Sequence, residues 1–180
     1  MKRTESDAPG QGRAKGPSVA DVLRADRVSG PAPLLEESPE FLGDEDIDFA
    51  RYTSREFAEQ EWENIWTKVW LLLGREDEMP NPGDWQQEEV GRESILMVRQ
   101  AGGSIKAFYN VCQHRGQRLV SEEKGHVRRF VCPYHSWAWN TDGTLDFVQD
   151  PNDFPEGNPC GKLLLEEVHC ETFAGFIWIN

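Results

Sequence analysis

Four residues of types that commonly bind metal ions form two short motifs in the second half of the chain. Cys112 and His114 make a C-x-H motif, and Cys132 and His135 make a C-x-x-H motif after a gap of 17 residues. Each motif supplies one thiolate and one imidazole, so two loops must meet to complete a set of four ligands. Thiolates and imidazoles are the side chains that hold zinc and iron–sulfur centres. The spacing therefore predicts a metal centre held between two loops.

The mixed order of the ligands separates the kinds of metal centre. A [2Fe–2S] centre with two cysteines on one iron and two histidines on the other requires this division. Structural zinc sites usually place like with like, as C-x₂₋₄-C and H-x₃₋₅-H pairs. A Cys₂His₂ zinc site, and chance placement of inert cysteines and histidines, stay open as alternatives. The pattern favours an iron–sulfur electron-transfer module over both.

The residues that flank the motifs sharpen this interpretation. Residues 110–117 are NVCQHRGQ and residues 131–139 are VCPYHSWAW. They closely resemble the C-x-H-R-G and C-x-Y-H-x-W loops of the Rieske domain in the alpha subunit of Rieske non-haem iron ring-hydroxylating oxygenases. The resemblance extends from near Tyr52 to Asn180. It implies a [2Fe–2S] cluster bound by Cys112, His114, Cys132 and His135, in loops shaped by Arg115, Gly116, Tyr134 and Trp137.

Three positions in the loops bear on the cluster's properties. Ser136 stands where the family usually has glycine, a residue that suits positive φ angles, so it indicates either an altered loop geometry or a hydroxyl near a cluster sulfide. Gln117 and Tyr134 correspond to positions at which high-potential Rieske proteins of the cytochrome-bc type carry a disulfide. That bridge cannot form here. We therefore expect a reduction potential near the low end of the Rieske range, roughly −150 mV.

Hydrophobic periodicity predicts the elements that position these loops. Apolar side chains recur at helical spacing and predict an amphipathic helix over residues 54–68, within a leading segment 52–70. Thr53 is the expected N-cap of this helix, and Glu56 is expected to reach back to it. Short strands separated by turn residues then fill 71–180, which predicts a mostly β fold, an antiparallel β-sandwich or barrel. The resemblance implies that this fold is of the Rieske type, with two cluster-binding loops. The expected strands are Trp70–Gly74, Trp85–Val90, Ser94–Arg99, Ile105–Asn110, Arg128–Val131, Ala138–Asn140, Leu163–Phe173 and Gly175–Asn180.

Composition and charge limit the other classes of function. A formal net charge of −13 over 180 residues argues against binding to nucleic acid or to an anionic membrane surface. Residues 1–51 are predicted to be disordered, because few large apolar side chains are present to offset chain entropy. The acidic stretch that ends this segment is interpreted as a solvated linker in preference to a docking surface. The chain shows no long apolar run and no secretory leader, so we expect a cytoplasmic protein. The other cysteines and histidines, Cys160, Cys170, His126 and His169, are not expected to bind metal.

The resemblance also implies how the module is used. In the family, a catalytic domain follows that holds mononuclear Fe(II) through two histidines and one carboxylate. The chain is therefore expected to be the N-terminal part of an oxygenase alpha subunit, or a truncated gene product, with no catalytic residue of its own. Electrons would come from a reductase or a ferredoxin, and the full-length protein would form a homotrimer or an alpha–beta hexamer. The alternative functions are a stand-alone Rieske-type ferredoxin and a zinc-stabilised interaction module.

Overall fold

The structure is a computed structural model that describes residues 16–17, 19–36 and 46–180. It divides into two compact units, Met1–Thr53 and Ser54–Asn180, and each is described by itself. No helix in the described ranges has the length and apolar character needed to cross a membrane.

The described part of the first unit contains three short helices, α1 (Val19–Arg24), α2 (Ala32–Leu35) and α3 (Ala50–Thr53). A β-carbon at Gly30, between the first two helices, would lie 3.7 Å from the side chain of Leu35 and 3.8 Å from that of Leu23. In addition, the Arg24 guanidinium donates to the carbonyl oxygen of Leu35 at 2.9 Å. The disorder expected for residues 1–51 stays a prediction. Residues 1–15, 18 and 37–45, including much of the acidic stretch, lie outside the described residues.

The second unit begins with the expected leading helix, which is α-helical over α4 (Arg55–Glu61) and continues as a π-helical turn over Trp62–Trp66. Its N-cap is Ser54, whose hydroxyl oxygen accepts a hydrogen bond from the Phe57 amide at 3.2 Å. The prediction of Thr53 as the cap is wrong by one residue. Thr53 ends α3 instead, and its hydroxyl donates to the carbonyl of Phe49 at 3.1 Å. Ser54 has the extended backbone that an N-cap requires, with φ −77° and ψ 126°.

Eleven strands in the second unit form three antiparallel sheets, with strand orders β1-β11-β10, β5-β2-β3-β4-β9 and β6-β7-β8. Single-turn 3₁₀ helices lie at Glu76–Glu78 and Pro151–Asp153. The mostly β, antiparallel fold class is confirmed. The strands are β1 (Leu71–Arg75), β2 (Asp84–Val90), β3 (Glu93–Arg99), β4 (Ile105–Tyr109), β5 (Lys124–His126), β6 (Arg129–Val131), β7 (Ala138–Asn140), β8 (Leu145–Phe147), β9 (Glu167–Val168), β10 (Cys170–Phe173) and β11 (Phe176–Ile179).

The five-stranded sheet lies between two hydrophobic cores, and strand β3 shows this most directly. Leu96 and Val98 point into one core, which also holds residues of β6, β7 and β8. Ile95 and Met97 point into the other core, with residues of β1 and β11. Because side chains alternate along a strand, four consecutive apolar residues are buried on two faces. The sandwich therefore has three layers of sheet, and the first core contains the two candidate cysteine ligands, Cys112 and Cys132.

The structure corrects the expected strands at three places. The long strand expected over Leu163–Phe173 is two short ones, β9 and β10, which belong to different sheets. The chain switches sheets at His169, whose carbonyl accepts from the amide of Asn180 at 3.0 Å. Strands β5 and β8, with three residues each, were not predicted. Segments this short offer too few alternating residues for a period of two to be visible.

Candidate metal centre

The first loop, residues 110–120, follows β4 and is closed at its base by Asn110. This side chain is buried, with 2% exposure. Its Oδ1 accepts hydrogen bonds from the amides of Leu119 and Val120, each at 3.1 Å. Its Nδ2 donates to the carbonyl of Val120 at 2.9 Å and to the hydroxyl of Ser94 at 3.1 Å. One amide side chain therefore holds both ends of the loop together and ties them to β3.

The two loops contain the same tight turn, which begins at a cysteine. In the first loop the Cys112 amide donates to the carbonyl of Gln117 at 2.7 Å, and the Gly116 amide donates back to the carbonyl of Cys112 at 2.9 Å. In the second loop, residues 132–137, the Cys132 amide donates to the carbonyl of Trp137 at 2.8 Å. The Ser136 amide donates back to the carbonyl of Cys132 at 3.0 Å.

The fourth residue after each cysteine has a left-handed backbone. The φ angle is 72° at Gly116 and 57° at Ser136. A glycine reaches this region without steric cost, whereas a serine does not. Ser136 keeps the positive φ that a glycine would adopt and makes the same turn as Gly116, so the backbone shows no altered loop geometry. A hydroxyl near a cluster sulfide stays a prediction.

The four candidate ligands meet as a thiol pair and an imidazole pair. Cys112 and Cys132 are buried, with 1% and 3% exposure. The His114 ring is exposed, the His135 ring is half-buried, and their centroids are 4.8 Å apart at an interplanar angle of 67°. No group of three or more His, Cys, Asp and Glu side chains that could hold a single metal ion exists in the described part of the chain.

The local electrostatics suit a site that receives positive charge. Burial raises the pKa of the Cys112 thiol, the neighbouring Cys132 thiol raises it further, and the Trp139 indole opposes this by lowering it. A buried thiolate needs a nearby cation to compensate its charge, and a metal ion supplies one. Burial, the charge of His135 and the charge of Arg115 lower the pKa of His114. The neutral imidazole is the form that binds a metal.

One orphaned atom tests whether these residues fit a metal cluster. The Nδ1 atom of His135 is buried and has no hydrogen-bond partner among the described residues. Buried polar atoms in folded proteins nearly always have a partner, so an unpaired imidazole nitrogen next to a second imidazole, on a loop that also carries a buried thiol, fits a coordination position. The donor set also has the two-thiolate, two-imidazole composition of a Rieske centre. The residues present therefore fit a [2Fe–2S] cluster.

Aromatic side chains cover both imidazoles. The Trp137 ring stacks on His114 with centroids 4.4 Å apart and an interplanar angle of 4°. The Tyr134 ring stacks on His135 at 3.8 Å and 29°, and it is 54% exposed. The Arg115 guanidinium lies over Tyr134, with its carbon 5.4 Å from the ring centroid. Of the residues predicted to shape the loops, Tyr134 and Trp137 thus stack on the candidate ligands, and Arg115 and Gly116 lie in the turn of the first loop.

The remaining cysteines and histidines have other surroundings. Cys160 is partly buried and packs against the first core, and Cys170 lies in β10, where burial raises its thiol pKa to about 11. His126 pairs through Nδ1 with a carboxylate oxygen of Asp84 at 2.8 Å. His169 packs against Trp70, with ring centroids 4.9 Å apart.

Sequence reasoning missed two residues that matter to the site. Asn110 clamps the first loop, and Trp139 is fully buried in the core that holds the two cysteines. A polar residue at the end of a strand, two positions before the C-x-H motif, was the available signal for Asn110. For Trp139 the sequence offered only a second tryptophan after the motif, which is equally typical of plain core packing.

Comparisons with known proteins agree with this geometry. The model of the Rieske [2Fe–2S] domain family matches residues 69–158. The chain is 36% identical over 132 residues to the alpha subunit of biphenyl 2,3-dioxygenase from Rhodococcus jostii (strain RHA1), covering 72% of this chain and 28% of that protein. It is 36% identical over 129 residues to the oxygenase subunit of carnitine monooxygenase from Escherichia coli (strain K12), covering 72% and 34%.

A solved structure gives the same result in three dimensions. The match to a quaternary ammonium Rieske monooxygenase, whose structure describes inter-subunit electron transfer, has a TM-score of 0.66 and 31% identity. It covers 73% of this chain and 36% of that one. The chain thus spans about a third or less of the length of these relatives. The two loops share one cysteine turn and contain a buried thiol pair and an adjacent imidazole pair, which agrees with the family match. This chain therefore belongs to the Rieske [2Fe–2S] domain family.

Proposed function

We propose that Cys112, Cys132, His114 and His135 bind a Rieske [2Fe–2S] cluster and that the chain relays electrons within an oxygenase alpha subunit. When bound, such a cluster accepts and donates one electron at a time. The observation that carries the proposal is the pairing of two buried thiols with two adjacent imidazoles, one of which has an orphaned buried Nδ1. The relatives at 36% identity are oxygenase subunits, which supports this function over that of a stand-alone ferredoxin.

The burial of the ligands determines where electrons enter and leave. The thiols of Cys112 and Cys132 face the protein core, so no partner reaches that side. The His114 ring is exposed and the His135 ring is half-buried, so the imidazole edges lie nearest to a docking protein. Tyr134 and Trp137 stack on these rings, hold their orientation and keep water from the faces they cover. Arg115 places a positive charge at the same surface, over the Tyr134 ring.

We further propose partners for this relay. A reductase or a ferredoxin supplies the electrons at the imidazole surface. The full-length protein assembles as a homotrimer or an alpha–beta hexamer, in which the cluster serves a mononuclear Fe(II) site in a catalytic domain outside these 180 residues. Support comes from the greater length of the relatives and from the inter-subunit electron transfer described for one of them. A cytoplasmic location follows from the need to keep the ligand thiols reduced.

Metal analysis and spectroscopy test the ligand set. Protein purified under anaerobic conditions is expected to be brown, to contain iron and sulfide in equal amounts, and to show the EPR signal of low average g value when reduced. His114→Ala and His135→Ala should each abolish this signal. The matched controls His126→Ala and His169→Ala should keep it, because those rings contact Asp84 and Trp70 instead. Colourless protein containing one zinc ion would refute the cluster assignment.

Turnover assays test the relay. Stopped-flow mixing with dithionite or a reductase should reduce the cluster in a single one-electron phase. The 180-residue chain should form no hydroxylated product from a panel of aromatic and quaternary-amine compounds. Product formation by this chain would show that it contains a catalytic site of its own, contrary to the proposal.

A further inference from the structure

A surface loop between β8 and β9, residues 149–158, is tied to the domain by the ring of Phe154. Eight of the other nine residues of this loop are exposed, whereas Phe154 is half-buried and packs against the first core. The Gly157 amide donates to the Phe154 carbonyl at 2.9 Å, which closes a turn around this residue. The loop thus holds one apolar ring against the domain while its polar residues face solvent.

The ring of Phe154 reaches the candidate metal centre through Trp137. The two rings meet edge to face, with centroids 5.9 Å apart and an interplanar angle of 61°. Trp137 in turn lies flat on His114, at 4.4 Å and 4°. Trp137 is only 6% exposed although the His114 ring that it covers is exposed. Phe154 therefore supports the side chain that covers one face of a candidate ligand.

The side chain of Trp137 needs support because only its backbone is fixed by the cluster loop. Its carbonyl accepts a hydrogen bond from the Cys132 amide at 2.8 Å. Its indole can still turn about two side-chain torsions, so neighbouring rings decide its orientation. One of these neighbours is Trp139, a fully buried ring tilted by 43° at 6.2 Å. Phe154 is another, and it lies on an exposed loop. Without the Phe154 ring, the indole could leave the face of His114 and admit water.

We propose that Phe154 is a positioning residue that keeps the Trp137 indole on His114 and so excludes water from one face of this ligand. The proposal rests on the function proposed above, in which His114 is a cluster ligand. Solvent exposure is one determinant of the reduction potential of an iron–sulfur cluster. Reduction adds one negative charge to the site, and water stabilises an added charge better than apolar surroundings do. Phe154 therefore keeps the reduction potential lower than it would be with an open imidazole face.

Redox titration of matched variants tests this role. Phe154→Ala removes the supporting ring from the loop. The control is Phe147→Ala, because Phe147 lies on β8, close to the loop in sequence, but its side chain is already 45% exposed. Only one face of one imidazole changes, so we expect Phe154→Ala to raise the equilibrium constant for reduction about threefold, which is about 28 mV for a one-electron couple. Phe147→Ala should leave the potential unchanged.

Pulsed EPR in deuterated water measures the exclusion of solvent directly. The deuterium coupling of the reduced cluster should be stronger in Phe154→Ala than in the wild type, and unchanged in Phe147→Ala. If the alanine variant does not retain the cluster, Phe154→Leu decides, because it keeps apolar volume in the loop but lacks the ring, and it should show the same two changes to a smaller extent.

The outcomes separate this role from the proposed function. A wild-type protein without a cluster would contradict the proposed function itself. Loaded Phe154 variants with the potential and the deuterium coupling of the wild type would overturn the role of Phe154 alone. Equal shifts in Phe154→Ala and Phe147→Ala would also overturn it, since they would show a general response of the domain to the loss of an aromatic ring.

Discussion

Replacing Ser136 with glycine should stabilise the cluster loop. Ser136 has a φ angle of 57°, in the same left-handed region as Gly116, which occupies the equivalent position of the other loop at 72°. Holding a residue with a side chain in this region costs about 1–2 kcal/mol. Glycine removes that cost but adds about 0.5–1 kcal/mol of chain entropy in the unfolded state. The net gain in folding free energy for Ser136→Gly is about 0.5–1 kcal/mol.

The gain should appear as slower loss of the cluster to a chelator. Release requires the second loop to open, and opening relieves the strained backbone at Ser136 in the wild type. A net gain of about 0.5–1 kcal/mol corresponds to a rate of loss about two- to fivefold slower. The assay follows the visible absorption of the cluster after a strong iron chelator is added under anaerobic conditions.

Two further variants separate backbone strain from other effects. Ala174→Gly makes the same change at a residue with a φ angle of 54°, in the turn between β10 and β11. It should raise resistance to unfolding by a similar amount without slowing cluster loss. Ser136→Ala removes only the hydroxyl and should leave the rate of loss unchanged. Faster cluster loss in Ser136→Gly, together with the expected stabilisation in Ala174→Gly, would refute the strain argument and assign the serine side chain a stabilising role.

Two other substitutions test the parts of the fold that surround the site. Gly91→Ala would drive a β-carbon into the ring of Trp62, so it should lower the free energy of unfolding by about 3 kcal/mol. Gly161→Ala places a β-carbon where no atom lies within 4 Å, at a φ angle of 75°, and should cost only about 1 kcal/mol. Denaturant titrations measure both changes. Hydrogen bonding to His126 holds the pKa of Asp84 below its usual value, so the ionised carboxylate stabilises the folded protein. This contribution to the free energy of unfolding is complete above about pH 4 and is lost as the pH falls through the lower pKa of the folded state. Asp84→Asn should therefore flatten the acid limb of the unfolding curve, and an unchanged acid midpoint would contradict the pairing.

The sequence predicts most of the fold because its strands are short β-prone segments that end at turn residues. Strands β2, β3 and β4 begin and end within one residue of the predicted bounds. Errors occur where local sequence carries little information. The Thr53-x-x-Glu56 spacing matches a capping box and so predicts Thr53 as the N-cap, whereas the structure caps the helix with the next residue, Ser54. At His169 the chain passes from one sheet to another, and the strands that pair there are distant in sequence. No local sequence pattern therefore predicts this change of sheet.

The candidate ligands were visible in the sequence because metal binding restricts residue types so strongly. Their supporting contacts were not visible. Asn110 closes the first loop through hydrogen bonds to residues nine and ten positions away. The stacking of Trp137 on His114 joins two different loops, so it depends on tertiary structure that a motif does not encode.

The shared turn explains why the ligands occur in mixed order. In both loops the cysteine stands at the base of the turn, where its amide and carbonyl make the closing hydrogen bonds and its thiol faces the core. The histidine follows two or three residues later, at His114 and His135, where the chain has moved outward to the surface. A cysteine followed by a histidine is therefore the order that places two thiols deep and two imidazoles shallow. Two such loops produce a site with a buried side and an accessible side, which is the asymmetry that a directional electron relay requires.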